Sequence, residues 1–299
     1  MELKVVKDLD KCKILWNKFS PNETLWELWE VVYSFYNPNI HEPFFIVSIE
    51  GKSETGLLPL WFDKKEDDYS LFGGEYPENR KFWFDVSKFN EFLGLAEKPV
   101  NMLEVNKKEY ERIAETDKEL ASDFEQNGKK YFINLKKLDY NLENYLNTFN
   151  KKHRKNLRYD LKQLEKLNYL LISDKKEHFD DFVRLSIERF GKESDLDDPN
   201  FVNQMKRLIE YLAYKKMLHT ISIEINKKIE GVELAALYKD IYYVLNGASN
   251  MKIKNLGKLL IMNHIKNAIK LKAKEIDFLS GKGGWKELWN CEEEEYYDY

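Results

Sequence analysis

His219-Thr220-Ile221-Ser222-Ile223-Glu224-Ile225 alternates apolar and polar side chains, Asn226-Lys227-Lys228-Ile229-Glu230-Gly231 turns the chain, and residues 232–237 and 242–245 continue as two further extended runs. Alternation places every second side chain on one face of a sheet, so this stretch predicts a three-stranded antiparallel meander. Gly247 and a polar loop follow, and Leu256-Gly257-Lys258 opens a helix to about Lys270. The strand Glu275-Ile276-Asp277-Phe278-Leu279 and a glycine-rich segment, 280–284, close the pattern. Strands and helices in this order predict an α/β (α+β) fold with a mixed, mainly antiparallel sheet.

Three helices precede the meander. Leu157, Leu161, Leu164 and Leu167 line one side of a long amphipathic helix whose other faces carry Lys151, Lys152, Arg154, Lys155, Arg158, Lys162 and Lys166. Residues 179–190 and 200–214 supply the other two, the last entered through Asp197, Asp198 and Pro199. In the first half, Leu25, Leu28, Trp29, Val32 and Tyr33 form a helical stripe stopped by Asn37 and Pro38, and residues 44–49 and 56–62 read as a hairpin about Glu50-Gly51-Lys52. Short strands are expected at 69–72 and 81–84, a polar helical stretch at 104–126 stopped by Gly128, and another strand at 129–135. A change of texture near 135–140, with no Pro- or Gly-rich linker, divides the chain into modules 1–137 and 138–299. The acidic tail from Glu292 to Tyr299 reads as a flexible or edge-lying end.

A length of 299 residues suits two domains of ordinary size, and 43% apolar residues can fill their cores. A net charge of −4 from 48 basic and 52 acidic residues lacks the basic excess of a dedicated nucleic-acid binder. Cys12 and Cys291 have no metal-ligand or redox spacing and read as free thiols of a reducing compartment. No apolar run approaches the roughly 20 residues that span a bilayer. Residues 1–13 hold no secretion signal, so a cytoplasmic protein without a membrane span is expected.

A helix start gathers amides that lack intrahelical acceptors, and the helix dipole there favours negative charge. Lys254-Asn255-Leu256-Gly257-Lys258 is placed to be such an anion seat, because Gly257 permits close approach and Lys252, Lys254 and Lys258 would neutralise a pyrophosphate. An ordinary helix start is the plainer alternative. The pattern G-x-x-x-x-G-K-[ST] fails, since Lys252 stands at its first glycine and Leu259 at its hydroxyl, and Gly281-Lys282-Gly283-Gly284 lacks G-x-G-x-x-G spacing. Neither ATP nor a dinucleotide is favoured.

Three passages taken in order carry a resemblance. They are the basic helix start Phe149-Asn150-Lys151-Lys152-His153-Arg154-Lys155-Asn156-Leu157-Arg158; the set Gly231-Val232-Glu233-Leu234-Ala235-Ala236-Leu237-Tyr238, Tyr242-Tyr243-Val244-Leu245-Asn246-Gly247-Ala248 and Leu256-Gly257-Lys258-Leu259-Leu260; and Ile276-Asp277-Phe278-Leu279-Ser280-Gly281 with Trp285-Lys286 and Trp289. Together they resemble the GNAT acetyltransferase-like family that includes the CelD-like proteins and, more distantly, the FemAB peptidyltransferases. The chain departs from the pattern at Asn255, where relatives often have a serine and a proline before the glycine.

The resemblance implies two tandem GNAT-like modules, each a mixed sheet flanked by helices, with the donor site in the second. It implies N-acyl transfer from acyl-CoA or acetyl-CoA, bound as co-substrate and without a metal, to an amine of a small metabolite or cell-envelope precursor. In the FemAB branch the group would come from aminoacyl-tRNA, and an acyl carrier protein is a further donor partner. In such a site the backbone of Leu245, Asn246 and Gly247 polarises the carbonyl, and Lys254, Asn255, Leu256, Gly257 and Lys258 hold the donor's anionic end. Arg154 and Arg158, one helical turn apart, would grip the acceptor with Lys282, Trp285 and Lys286. Glu233 and Asp277, carboxylates in apolar strands, are candidate bases, and Tyr238, Tyr242 and Tyr243 are candidate acids. Each of these has the alternative of facing solvent or simply packing. A non-catalytic binder that engages an acidic partner through its basic helix is the reading from a different class.

Overall fold

The computed structural model describes residues 1–281 and 284–299. Lys282, expected at the acceptor site, lies outside the described residues. The chain forms two compact units, one of residues 1–130 with 280–281 and 294–299, the other of residues 131–279 with 284–293.

In the first unit β1 (Glu2–Val6), β2 (His41–Glu50), β3 (Ser53–Asp63), β4 (Asp68–Leu71) and β5 (Val100–Asn101) form a sheet in chain order, antiparallel except between β4 and β5. Phe44-Phe45-Ile46-Val47 is buried at every position because both faces of β2 are covered. Phe44 and Ile46 join a core with Phe84, Phe89 and Phe92, while Phe45 meets Trp16 of α1 (Leu9–Phe19) and Trp29 of α2 (Trp29–Tyr33).

The helix expected from Leu25 to Tyr36 is interrupted: Leu25–Glu27 is a tight 3-10 turn and α2 begins only at Trp29. Trp16 Nε1 and Ser20 Oγ donate to the Glu27 carbonyl at 2.8 and 2.7 Å, and the Glu27 carboxylate accepts from the Glu23 and Thr24 amides. Side chains thus satisfy groups that a continuous helix would pair for itself. The strand expected at 81–84 is reduced to the single bridge Leu57↔Trp83. After α3 (Phe89–Leu93) and β6 (Val105–Asn106), the polar helical stretch divides into α4 (Lys107–Thr116) and α5 (Lys118–Ala121) at Asp117, whose extended backbone and capping carboxylate start the second piece. The acidic tail is a strand, Glu292–Asp298, paired with β6, with Tyr296 buried and Tyr297 stacked on Tyr110 at 3.8 Å.

β7 (Glu125–Asn134) carries the chain into the second unit, with Gly128 inside the strand at φ +108° rather than ahead of it. There follow α6 (Leu142–Thr148), α7 (Lys151–Glu165), β8 (Leu170–Ser173), α8 (Phe179–Phe190), α9 (Pro199–Tyr214), β9 (Leu218–Ile225), β10 (Lys228–Tyr238), β11 (Ile241–Ser249), α10 (Leu256–Lys270) and β12 (Glu275–Asp277). The expected meander is β9–β10–β11, and the strand order β7–β12–β11–β10–β9–β8 places it within a sheet whose β11–β12 pair alone among these is parallel. α10 lays Ile261, Met262, Ile265 and Ala268 on Ala235, Tyr242, Val244 and Ile276. Leu234 and Tyr243, which alternation turns away from α10, are buried too, and α8 lies against the same two strands. Among the described residues no helix is long and apolar enough to cross a membrane.

Leu234 is 0% exposed at the centre of this sheet. Leu234→Ala leaves a cavity and is expected to cost about 2–5 kcal/mol, read as a lower urea midpoint for the unfolding of the second unit.

Candidate functional site

β10 and β11 pair from Gly231↔Ser249 to Leu234↔Asn246, and then from Ala235↔Val244 to Tyr238↔Ile241. Leu245 is the extra residue of this bulge, which bends β11. On the other edge of β11 the parallel pairs with β12 are Ile241↔Glu275, Tyr242↔Ile276 and Tyr243↔Asp277. Beyond Asp277 the chain follows β7 instead: the Phe278 amide donates to Tyr131 O at 2.8 Å and the Tyr131 amide to Leu279 O at 3.3 Å. β11 and β12 therefore part next to the bulge.

β11 ends at Ser249, and a short loop leads to α10 through Asn255, which is left-handed at φ 67° and makes no side-chain cap. The Leu256 amide donates to Ile253 O, and the Lys258 and Leu259 amides donate to Asn255 O. Within the described residues no acceptor meets the Gly257 amide, and a methyl group on Gly257 would find only Ser249 Oγ, 3.8 Å away. The corner is open. Lys252 and Lys254 are exposed beside it, whereas Lys258 Nζ is held by Asp160 Oδ2 of α7 at 2.6 Å.

Glu233 of β10 is buried opposite Gly247 of β11. A Cβ on residue 247 would stand 2.8 Å from Glu233 Cγ and 3.0 Å from Oε1, so glycine lets this side chain pack against the strand without shifting. Oε2 lies 3.5 Å from Nε2 of His264, a residue of α10 that is 0% exposed. Burial pushes the Glu233 carboxyl up to about 8 and the His264 imidazole down to about 3, because each charged form would lose its hydration. The pair meets in its uncharged state near neutral pH. Tyr242 OH contacts His264 Nδ1 at 2.8 Å and accepts from Asn267 Nδ2 at 3.1 Å.

Asp277 is buried, and Oδ1 accepts the Leu279 amide at 2.8 Å. Its neighbour Ile276 faces α10, so Asp277 points to the opposite side of the sheet from Glu233. The two candidate bases are thus kept apart. Tyr238 sits at the turn end of β10, five residues from Glu233 or roughly 16 Å at strand spacing, so the fold does not bring it to the bulge. Arg154 and Arg158 do share a helix face, but both turn to α6: Arg154 Nη1 donates to Asn147 Oδ1 at 2.7 Å and Arg158 Nη2 pairs with Glu143 Oε2 at 2.6 Å. Lys286 is buried, donating to Leu279 O at 3.0 Å and lying over the rings of Tyr131 and Trp285. Trp285 meets Phe278 edge-on. Asn246 Oδ1 accepts the Gly247 amide at 2.8 Å. Burial raises both thiols to about 12, away from the range of a reactive thiolate.

The residues that sequence reasoning missed are His264 and Asn267. The signal was present, since His264 stands four residues after Leu260 and four before Ala268, inside the apolar stripe of α10.

Comparison with solved structures finds this fold along the whole chain. FemX aligns with a TM-score of 0.64 at 14% identity, covering 100% of this chain and 97% of that one. The tandem GNAT protein from the clavulanic acid biosynthesis pathway gives 0.54 at 9% identity, with 100% and 98% covered. L-PGS from Bacillus licheniformis gives 0.54 at 13% identity, with 100% and 93% covered. No curated protein matches the chain. These likenesses define the class by fold, an α/β protein of two GNAT-like modules in tandem. Residues 151–287 match the family model described as an acetyltransferase (GNAT) domain.

The raised Glu233 value has a thermodynamic consequence. The unfolded chain ionises this carboxyl above 4.5 while the native one keeps its proton to about 8, so stability is full below 4.5 and declines as pH rises through 8, by up to about 1.4 kcal/mol per pH unit. His264 acts in the opposite sense, and only as pH falls from 6.5 to about 3. Between about pH 6.5 and pH 8, urea denaturation of Glu233→Gln is expected to lack the wild-type decline; an unchanged slope would contradict a protonated Glu233.

Proposed function

We propose that the chain transfers an acyl or aminoacyl group to an amine where β11 leaves β12. The observation that carries this reading is the succession of the Leu245 bulge, the parting of the strands and the open α10 start at Gly257 within a GNAT domain. The bulge bends backbone dipoles towards the gap between the strands, where a carbonyl oxygen gaining charge would need them. The Gly257 amide, with Lys252 and Lys254 close by, suits the pyrophosphate of acyl-CoA.

In this reading the donor carbonyl lies along the backbone of Leu245, Asn246 and Gly247, and the amine attacks it from the side of the acceptor. Glu233, pressed against Gly247 and poised to titrate near neutral pH, is the better-placed base of the two carboxylates. Asp277 faces the other side, its carboxylate engaged with a backbone amide. Arg154 and Arg158 shape α6 and α7 rather than presenting a free fork to the acceptor. The acceptor class is an amine of a small metabolite or cell-envelope precursor, and a cytoplasmic setting goes with a thioester donor.

Aminoacyl-tRNA as donor is the second reading. It is favoured by the exposed Lys151, Lys152 and Lys155 at the start of α7 and by the full-length fold likeness to FemX. Calorimetric titration with acetyl-CoA and longer acyl-CoA species separates the two. Micromolar binding that weakens at least about tenfold in Gly257→Asp supports the thioester donor, because the new carboxylate repels the pyrophosphate. No heat with any thioester, together with a salt-sensitive shift of aminoacyl-tRNA, supports the second reading. Binding of neither sinks both.

A further inference from the structure

α10 buries a histidine in its apolar stripe, and a buried imidazole needs a polar neighbour at each nitrogen. The fold provides both, Tyr242 OH at 2.8 Å from Nδ1 and Glu233 Oε2 at 3.5 Å from Nε2. Asn267, one turn further along the helix than His264, donates to the Tyr242 oxygen. Asn267 offers that oxygen a donor and no acceptor, so the buried hydroxyl proton finds its acceptor at Nδ1, which places the imidazole proton on Nε2, towards Glu233. His264 Nε2 and Glu233 Oε2 are both buried and stand 3.5 Å apart, and neither makes a hydrogen bond within the described residues, so a slight closure would make each the other's partner. Gly247 confines the remaining carboxyl oxygen, Oε1, on the side of the bulged strand.

We infer that His264 is a positioning residue for group transfer: its Nε2–H holds Oε2 of Glu233 so that Oε1 is presented to the attacking amine, and Tyr242 with Asn267 keeps the imidazole in the tautomer that can do this. The inference rests on the transfer reading above. In the ionised form of Glu233, which gains population as pH approaches 8, the amine N–H proton passes to Oε1 as the C–N bond forms and the carbonyl pair moves onto oxygen. When the tetrahedral adduct collapses, the thiol or ribose oxygen leaves with the bonding pair and takes that proton, which restores the carboxylate. His264 keeps its own proton throughout, so its part is orientation and not relay.

Nitrogen NMR of protein labelled with ¹⁵N-histidine reads the tautomer directly. The wild type is expected to show an unprotonated Nδ1 and a protonated Nε2 for His264, Tyr242→Phe to admit the other tautomer, and Glu233→Gln to move the Nε2 resonance while Nδ1 keeps its acceptor character. In turnover with acetyl-CoA and a panel of primary amines, or with aminoacyl-tRNA, His264→Leu is expected to lower kcat by about 100-fold with KM little changed. His264→Gln, which retains a donor at the Nε2 position, should restore part of the loss. Tyr242→Phe, a milder change should His264→Leu fail to fold, should lower kcat by about tenfold. A proton on Nδ1 in the wild type, or a folded His264→Leu with wild-type kcat, overturns the positioning role alone. A wild type that turns over no donor of either kind overturns the transfer reading and this role with it.

Discussion

The second unit is organised around a one-residue mismatch between neighbouring strands. Because Leu245 is extra, β11 cannot continue flat beside β10, and it bends where its parallel partnership with β12 ends. A strand that kept strict register would have carried the ladder on and sealed the edge with backbone hydrogen bonds. The slip also sets what stands opposite Glu233. A side chain at position 247 would press on the Glu233 side chain packed there and force it to move. The opening and the buried acid are thus two results of the same irregularity.

Burial decides the chemistry of the groups around it. Glu233, His264 and Tyr242 all lie in an apolar layer beneath α10, where charge is costly, and each is displaced towards its neutral form. An uncharged carboxyl beside an uncharged imidazole is cheaper in that layer than an ion pair whose desolvation would have to be recovered. Two carboxylates that looked equivalent in the sequence end in different surroundings, one beneath the helix and one against a loop amide on the far face. Environment distinguishes them more than residue type does.

Much of this was legible before any coordinates, for identifiable reasons. The alternation from His219 to Ile225 gave β9 nearly to the residue, because a strand buried on one face writes a two-residue period into the chain. The helix at Leu256 could be placed because Gly257 and the apolar stripe after it are local signals. What could not be read is non-local. The break between Glu27 and Trp29 depends on Trp16 and Ser20 capturing one carbonyl, and the engagement of Lys258 depends on Asp160, ninety-eight positions earlier in the chain. Arg154 and Arg158 read as a free basic face, since their partners on α6 have no fixed spacing that a pattern could reveal. His264 was overlooked although its position was visible, because a histidine within a hydrophobic stripe carries no signal of its own until Tyr242 and Glu233 arrive beside it.

The chain's connectivity bears on how the protein is made. Residues 294–299 complete the first unit, while the second is complete by residue 293. During synthesis the later-encoded unit therefore has all its parts before the earlier-encoded one does. Tyr297 cannot stack on Tyr110, nor its strand pair with β6, until residues 294–299 have been made, so the first unit depends on a segment encoded after the whole of the second.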